Sequence, residues 1–273
     1  MRRTVRGASL LLVAGVLAAG LGACGDDDGG TEAGRAEGGD LSTGGAAGDA
    51  AAFCDAAASV DAANLGLDSG ETTPDDVDTA LQAAEEAAPA QVSAAVGTMV
   101  TEAKTMMAEA ESAPEEGPPP IPSDAFFAAS VDVGGYLGDN CDFGSIDVTA
   151  TNYKFDGIPE SVPAGTTILN FDNGGTEFHE MVLMQVAEGE ERPLAELMAL
   201  PEDQVDSLIT EKGFVLAPPG AQTYVTAELD PGRYVAICFV PVGATPEALQ
   251  SGAPLNEEDG HFMHGMVTEF EVD

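Results

Sequence analysis

The chain has 273 residues, 44% of them hydrophobic, enough to bury the core of one or two domains. It carries 48 acidic and 9 basic residues, a formal net charge of -39. A surface this acidic repels phosphate backbones, which excludes nucleic-acid binding as a function class; it fits a protein kept soluble outside the cytoplasm.

The N-terminus carries Arg2, Arg3 and Arg6, followed by an apolar run from Ala8 to Ala23. That run is short for a bilayer crossing, and with its basic flank it reads as a removable export signal over residues 1–23. Leu21-Gly22-Ala23-Cys24 resembles the lipobox of bacterial lipoproteins. The resemblance implies lipidation of Cys24 and anchoring on the extracytoplasmic face of the cell membrane, so that the membrane is a partner through the lipid. Residues 24–49 are Gly, Asp, Ala and Glu with almost no large apolar side chain, and they predict a flexible acidic tether.

Residues 50–143 predict a small all-α bundle domain. Thr73-Pro74-Asp75-Asp76 combines an N-cap hydroxyl, a proline at the first helical position and acidic residues in the first turn. Val77, Leu81 and Ala84 follow at helical spacing, and so do Val92, Val96, Met99, Val100, Ala103, Met106 and Met107. The methionines read as flexible core filler rather than metal ligands. Prolines between Glu115 and Pro122 break the pattern, and Ser123-Asp124 starts another helix running toward Cys141.

From Gly144 the period changes to two, and residues 144–273 predict an all-β sandwich. Ile146, Val148 and Ala150 alternate with polar residues; Thr166 to Phe171, His179 to Met184, Thr223 to Ala227, Arg233 to Cys238 and Met266 to Val272 supply further strands between Gly and Pro turns. A helical interruption is expected over Leu194 to Lys212.

Export places the cysteines in an oxidising compartment. Beyond Cys24 three remain: Cys54, Cys141 and Cys238. Cys54 and Cys141 bracket the helical domain and are expected to pair, a link that constrains the unfolded chain by about 4 to 5 kcal/mol in the loop-entropy account. Cys238 is then the odd thiol, available to a metal. Two of only three histidines, His261 and His264, fall in His261-Phe262-Met263-His264-Gly265-Met266, and the third is His179. One thiolate, two imidazoles and a thioether form the donor set that trigonal copper electron-transfer sites use.

The Val162-Pro163-Ala164-Gly165 turn, the Asn173-Gly174-Gly175 loop before His179, Pro231-Gly232-Arg233-Tyr234 leading into Cys238, and Met266 separated from His261 by four residues together resemble the cupredoxins, the family of plastocyanin and azurin. The resemblance covers most of residues 144–273 and implies a Greek-key sandwich holding copper between loops at one end. It implies His179, Cys238, His261 and axial Met266 as ligands, with His264 the alternative second imidazole. Between Cys238 and His261 stand 22 residues, Phe239 to Gly260, where the family commonly has a few. Glu180 follows the first histidine where several members carry an amide that ties the ligand loops together; a carboxylate there can still accept hydrogen bonds. The function expected is a membrane-anchored, extracytoplasmic electron carrier with an unidentified redox partner protein, not an enzyme. Copper capture or delivery, and a metal-free protein-binding module, are the alternatives.

Overall fold

The computed structural model describes residues 45–112, 120–252, 254–256 and 258–273. The export segment, Cys24 and the tether as far as residue 44 lie outside the described residues. Four helices come first: α1 (Gly45–Ser69), α2 (Pro74–Ala87), α3 (Ser93–Ser112) and α4 (Asp124–Asn140). α1 starts within the stretch expected as tether, because Ala46, Ala47 and Ala50 favour helix and prolong the segment that follows.

The helix starts obey their local chemistry. Thr73 and Asp76 form a reciprocal capping box, Asp76 Oδ2 accepting from the Thr73 N–H at 2.9 Å, with Pro74 at the first helical position. The Ser123 hydroxyl accepts from the Phe126 N–H at 3.3 Å to open α4. α2 then buries Val77, Leu81 and Ala84, and the first two pack with Phe53, Val96, Val100 and Leu137 from the other helices. A disulfide joins Cys54 on α1 to Cys141 directly after α4.

Among the described residues nine strands form two sheets. They are β1 (Gly144–Thr151), β2 (Lys154–Asp156), β3 (Ser161–Val162), β4 (Gly165–Asn173), β5 (His179–Val186), β6 (Ile209–Ala217), β7 (Gln222–Leu229), β8 (Gly232–Ile237) and β9 (Val267–Val272). One sheet has the order β2-β1-β4-β7 and the other β3-β9-β8-β5-β6. β1 with β4 and β3 with β9 are parallel; the remaining pairs are antiparallel. Inward residues of both sheets, among them Phe171, Met181, Leu183, Tyr234 and Phe270, fill one core.

The expected helical interruption at Leu194 to Lys212 is corrected. Two single-turn helices, α5 (Leu194–Leu197) and α6 (Glu202–Val205), occupy its first part, and from Ile209 the chain is already in β6. Glu211-Lys212-Gly213 has poor strand propensity, but pairing with β5 on either side of an irregularity at Lys212 overrides it. β5 is consequently central. Met181 and Leu183 face the sandwich core, and Val182, Met184 and Val186 face a second cluster capped by Leu197.

The helical layer lies on the outer face of the four-stranded sheet. Ile168 of β4 is fully buried in the helical core, whereas its neighbour Leu169 points into the sandwich. A Cβ on Gly134 of α4 would stand 3.0 Å from the Tyr224 ring of β7, so glycine is what allows that close approach. Ser130 and Thr223 share a buried hydrogen bond of 2.9 Å, and Asp61 Oδ2 accepts from the Thr226 N–H at 2.8 Å and hydroxyl at 2.6 Å.

Candidate metal centre

Three segments deliver the candidate donors. His179 opens β5, Cys238 follows directly on β8, and His261 begins a 3-10 turn (His261–His264) ahead of β9. β5 and β8 pair with Val182 opposite Ile237, which brings the start of one strand beside the end of the other. The 22-residue excursion from Phe239 to Gly260 loops out and closes on itself. Pro241 bridges Gly260, and the Val242 N–H donates to the Asp259 carbonyl at 2.9 Å. The returning chain is then fastened to the strand end: the Phe262 N–H donates to the Cys238 carbonyl at 2.9 Å and the Cys238 N–H to the Met266 carbonyl at 3.1 Å. Within the excursion Pro246–Ser251 forms a further short helix, α7, which the sequence did not suggest.

The donors converge. His179 Nδ1 lies 3.0 Å from His261 Nδ1, and His261 Nδ1 lies 3.4 Å from Cys238 Sγ. One ligand atom from each residue fits within a span of 4.8 Å, and all three residues are buried. The site fits copper. Met266 is fully buried in the same apolar cluster as Cys238, and its N–H donates to the His261 carbonyl at 3.2 Å. His264 is outside this group: it is exposed, and its Nε2 meets Asp259 Oδ1 at 2.7 Å.

A shell of hydrogen bonds orients the copper donors. His261 Nε2 sits 3.1 Å from Glu177 Oε2; with the proton on Nε2 and donated to that carboxylate, Nδ1 turns its lone pair toward Cys238. Glu177 is held in turn by the Tyr153 hydroxyl at 3.1 Å and by the Gly243 N–H at 2.5 Å. Asn173 fixes the loop before His179, donating to the carbonyls of Glu177 at 2.9 Å and Ala217 at 2.8 Å and accepting from the Gly175 N–H at 2.9 Å. A Cβ on Gly175 would fall 2.5 Å from His179 Nε2, so glycine there makes room for the imidazole. The Glu180 N–H points at Cys238 Sγ at 3.5 Å, a contact that tunes a thiolate. Glu180 Oε1 accepts from the Phe239 N–H at 2.9 Å, so the carboxylate ties the two ligand segments together, as expected of an acceptor at this position.

Burial controls the electrostatics. It pushes the Cys238 thiol far above its ordinary range, with the Glu180 and Glu177 carboxylates adding to the effect. It depresses His179 to about 4, helped by neighbouring His261, and it lowers His261 against the pull of Glu177. Both imidazoles are thus neutral donors at pH 7, and the thiol yields its proton when a cation takes its place. Glu180 is raised to about 8, first by burial, which keeps it largely neutral at pH 7.

Glu177 and Tyr153 were not singled out in the sequence. Tyr153 does carry a conformational signal, being the non-glycine residue with positive φ among those described, at 66°. Its ring packs against His261 at 4.9 Å and His264 at 5.1 Å between centroids.

No family model and no curated protein matches the chain. Solved structures are similar to about half of it. Dithionite-reduced auracyanin from the photosynthetic bacterium Roseiflexus castenholzii is 21% identical, covers 47% of this chain and 96% of its own, and has a TM-score of 0.30. Auracyanin A, a blue copper protein from Chloroflexus aurantiacus, is 24% identical over 47% of this chain and 98% of its own, with a TM-score of 0.28. A multicopper oxidase from Aquifex aeolicus is 13% identical over 49% of this chain and 30% of its own, with a TM-score of 0.27. The functional reading rests on the donors themselves.

Proposed function

We propose that the protein is an electron carrier built on a Greek-key, cupredoxin-like sandwich with one type 1 copper. His179 Nδ1, Cys238 Sγ and His261 Nδ1 are the equatorial donors, and Met266 is the weak axial thioether. The observation that carries this reading is the convergence of one thiol and two imidazole nitrogens within 4.8 Å in the core. Bound copper supplies reversible one-electron exchange; the protein supplies a donor cage that does not rearrange. His179 and Cys238 are held at paired strand ends, and the hydrogen bonds accepted by Glu177 and Glu180 keep His261 and the ligand segments in register. A single mononuclear centre suits passing electrons rather than turning over a substrate.

The reading extends to the cell. Export through residues 1–23 and lipidation of Cys24 place the carrier on the extracytoplasmic face of the membrane, where its redox partner is a protein not yet identified. Adding Cu(II) to the purified protein is expected to produce intense visible absorption that Cys238→Ser abolishes, and a colourless complex would sink the proposal. Fast reversible voltammetry of the loaded protein separates electron carriage from copper delivery, which predicts sluggish cycling.

A further inference from the structure

Between the helical layer and the sandwich lies a cavity of about 530 Å3, walled on the sandwich side by β6 and β7, the neighbouring edges of the two sheets. Its walls are mostly apolar, with Phe53, Val100, Met106 and Phe126 from the helices facing Tyr224 and Val225 from β7. Protein interiors normally close voids larger than a water molecule, and an apolar void left open lowers stability. This one persists because its helical wall is built from small side chains, Ala57, Ala84 and Ala103. Its volume is that of a small-molecule site, and three flexible methionines, Met99, Met106 and Met107, line one side where they can adapt to a guest.

One polar group is set in this apolar wall. Asp61 lines the cavity, and both hydrogen bonds to its carboxyl, from the Thr226 N–H and hydroxyl, converge on Oδ2. None reaches Oδ1 from the described residues. Burial raises Asp61 to about 6, so the carboxyl is only weakly held in its charged form and gains from a donor that enters with an apolar body. Elsewhere in the wall Lys212 pairs with Asp230 at 2.8 Å, and Glu228 accepts from the Thr166 hydroxyl at 2.8 Å.

We infer that the cavity between the helical layer and strands β6 and β7 binds a small apolar molecule whose polar end donates a hydrogen bond to Asp61. This gives the helical domain a role separate from the metal centre, and the inference does not depend on copper being bound.

The test uses the full exported chain and N-phenyl-1-naphthylamine, a neutral fluorescent probe with one N–H donor. Saturable fluorescence enhancement with one probe per chain is expected. Ala103→Phe, which fills the cavity, should abolish it while leaving circular dichroism and the copper-dependent absorption unchanged. On the unaltered protein, 1-phenylnaphthalene, similar in shape and lacking the donor, should compete about tenfold more weakly. Binding that does not saturate, enhancement retained in a folded Ala103→Phe protein, or equal competition by 1-phenylnaphthalene would each overturn the inference; the last needs no variant.

Discussion

The two halves of the molecule are held together by different means. The sandwich fills its core with Phe171, Met181, Leu183, Tyr234 and Phe270, and its central strand β5 is buried on both faces. The helical layer is rich in alanine, relies on a disulfide between its ends, and borrows Ile168 from the sheet beneath to complete its core. Dense packing holds three donor atoms within 4.8 Å of one another, whereas sparse packing with a covalent staple leaves room for a guest. Rigidity and vacancy are divided between the halves, and each half is specialised by its side-chain volumes.

The largest expected effect comes from removing the staple. Replacing Cys54 and Cys141 together by Ser should cost the helical layer about 2–5 kcal/mol in denaturant unfolding followed by circular dichroism. The copper absorption should survive at denaturant concentrations where helical signal is already lost; simultaneous loss of both signals would show that the halves do not differ in this way.

Next in size is the orienting shell of the metal centre. Glu177→Ala removes the acceptor of His261 Nε2 and the anchor of the Gly243 N–H, and should weaken copper binding about 10–100-fold in competition with a chelator. The midpoint potential should move with it, while helical stability stays as it was. A smaller loss, about 1–3 kcal/mol, is expected from Gly134→Val, because its side chain must push α4 away from the Tyr224 ring. Here unfolding should be perturbed and the visible spectrum should not.

The smallest effect depends on pH. Asp61 titrates at about 6 in the folded protein, above its ordinary value, chiefly because burial disfavours its charge. Its contribution to stability is therefore complete below about pH 4 and is lost as pH rises through 6. Asp61→Asn keeps an acceptor for Thr226 and should raise the melting temperature at pH 7.5, worth about 1 kcal/mol, with the gain vanishing at pH 4. Equal gains at both pH values would show that burial of this charge is not the cause.

Much of this arrangement was legible in the residues. Caps at Thr73 and Ser123 and the switch to period two at Gly144 mark elements through local chemistry, which the fold preserves. Cysteine parity anticipated the Cys54–Cys141 link. β6 was hidden because Glu211-Lys212-Gly213 favours no strand locally and is recruited only by pairing with β5. The choice between His261 and His264 rests on tertiary facts: the hydrogen bonds that return the excursion to Cys238 turn His261 inward, and Asp259 holds His264 outside. Glu177 was invisible for a similar reason, since only the closed loop brings an ordinary glutamate to an imidazole 84 positions away.

The alternation of β8 has one more consequence. Tyr234 and Ala236 point into the core in step with Cys238, and Val235 and Ile237 point to the opposite face. Sliding the strand by a single residue against β5 would carry the sulfur to the wrong side and put an isoleucine where the metal belongs. The colour of a copper-loaded sample would therefore work as a proofreading signal for strand alignment, absent from any chain that has collapsed with its strands misaligned, however compact it is.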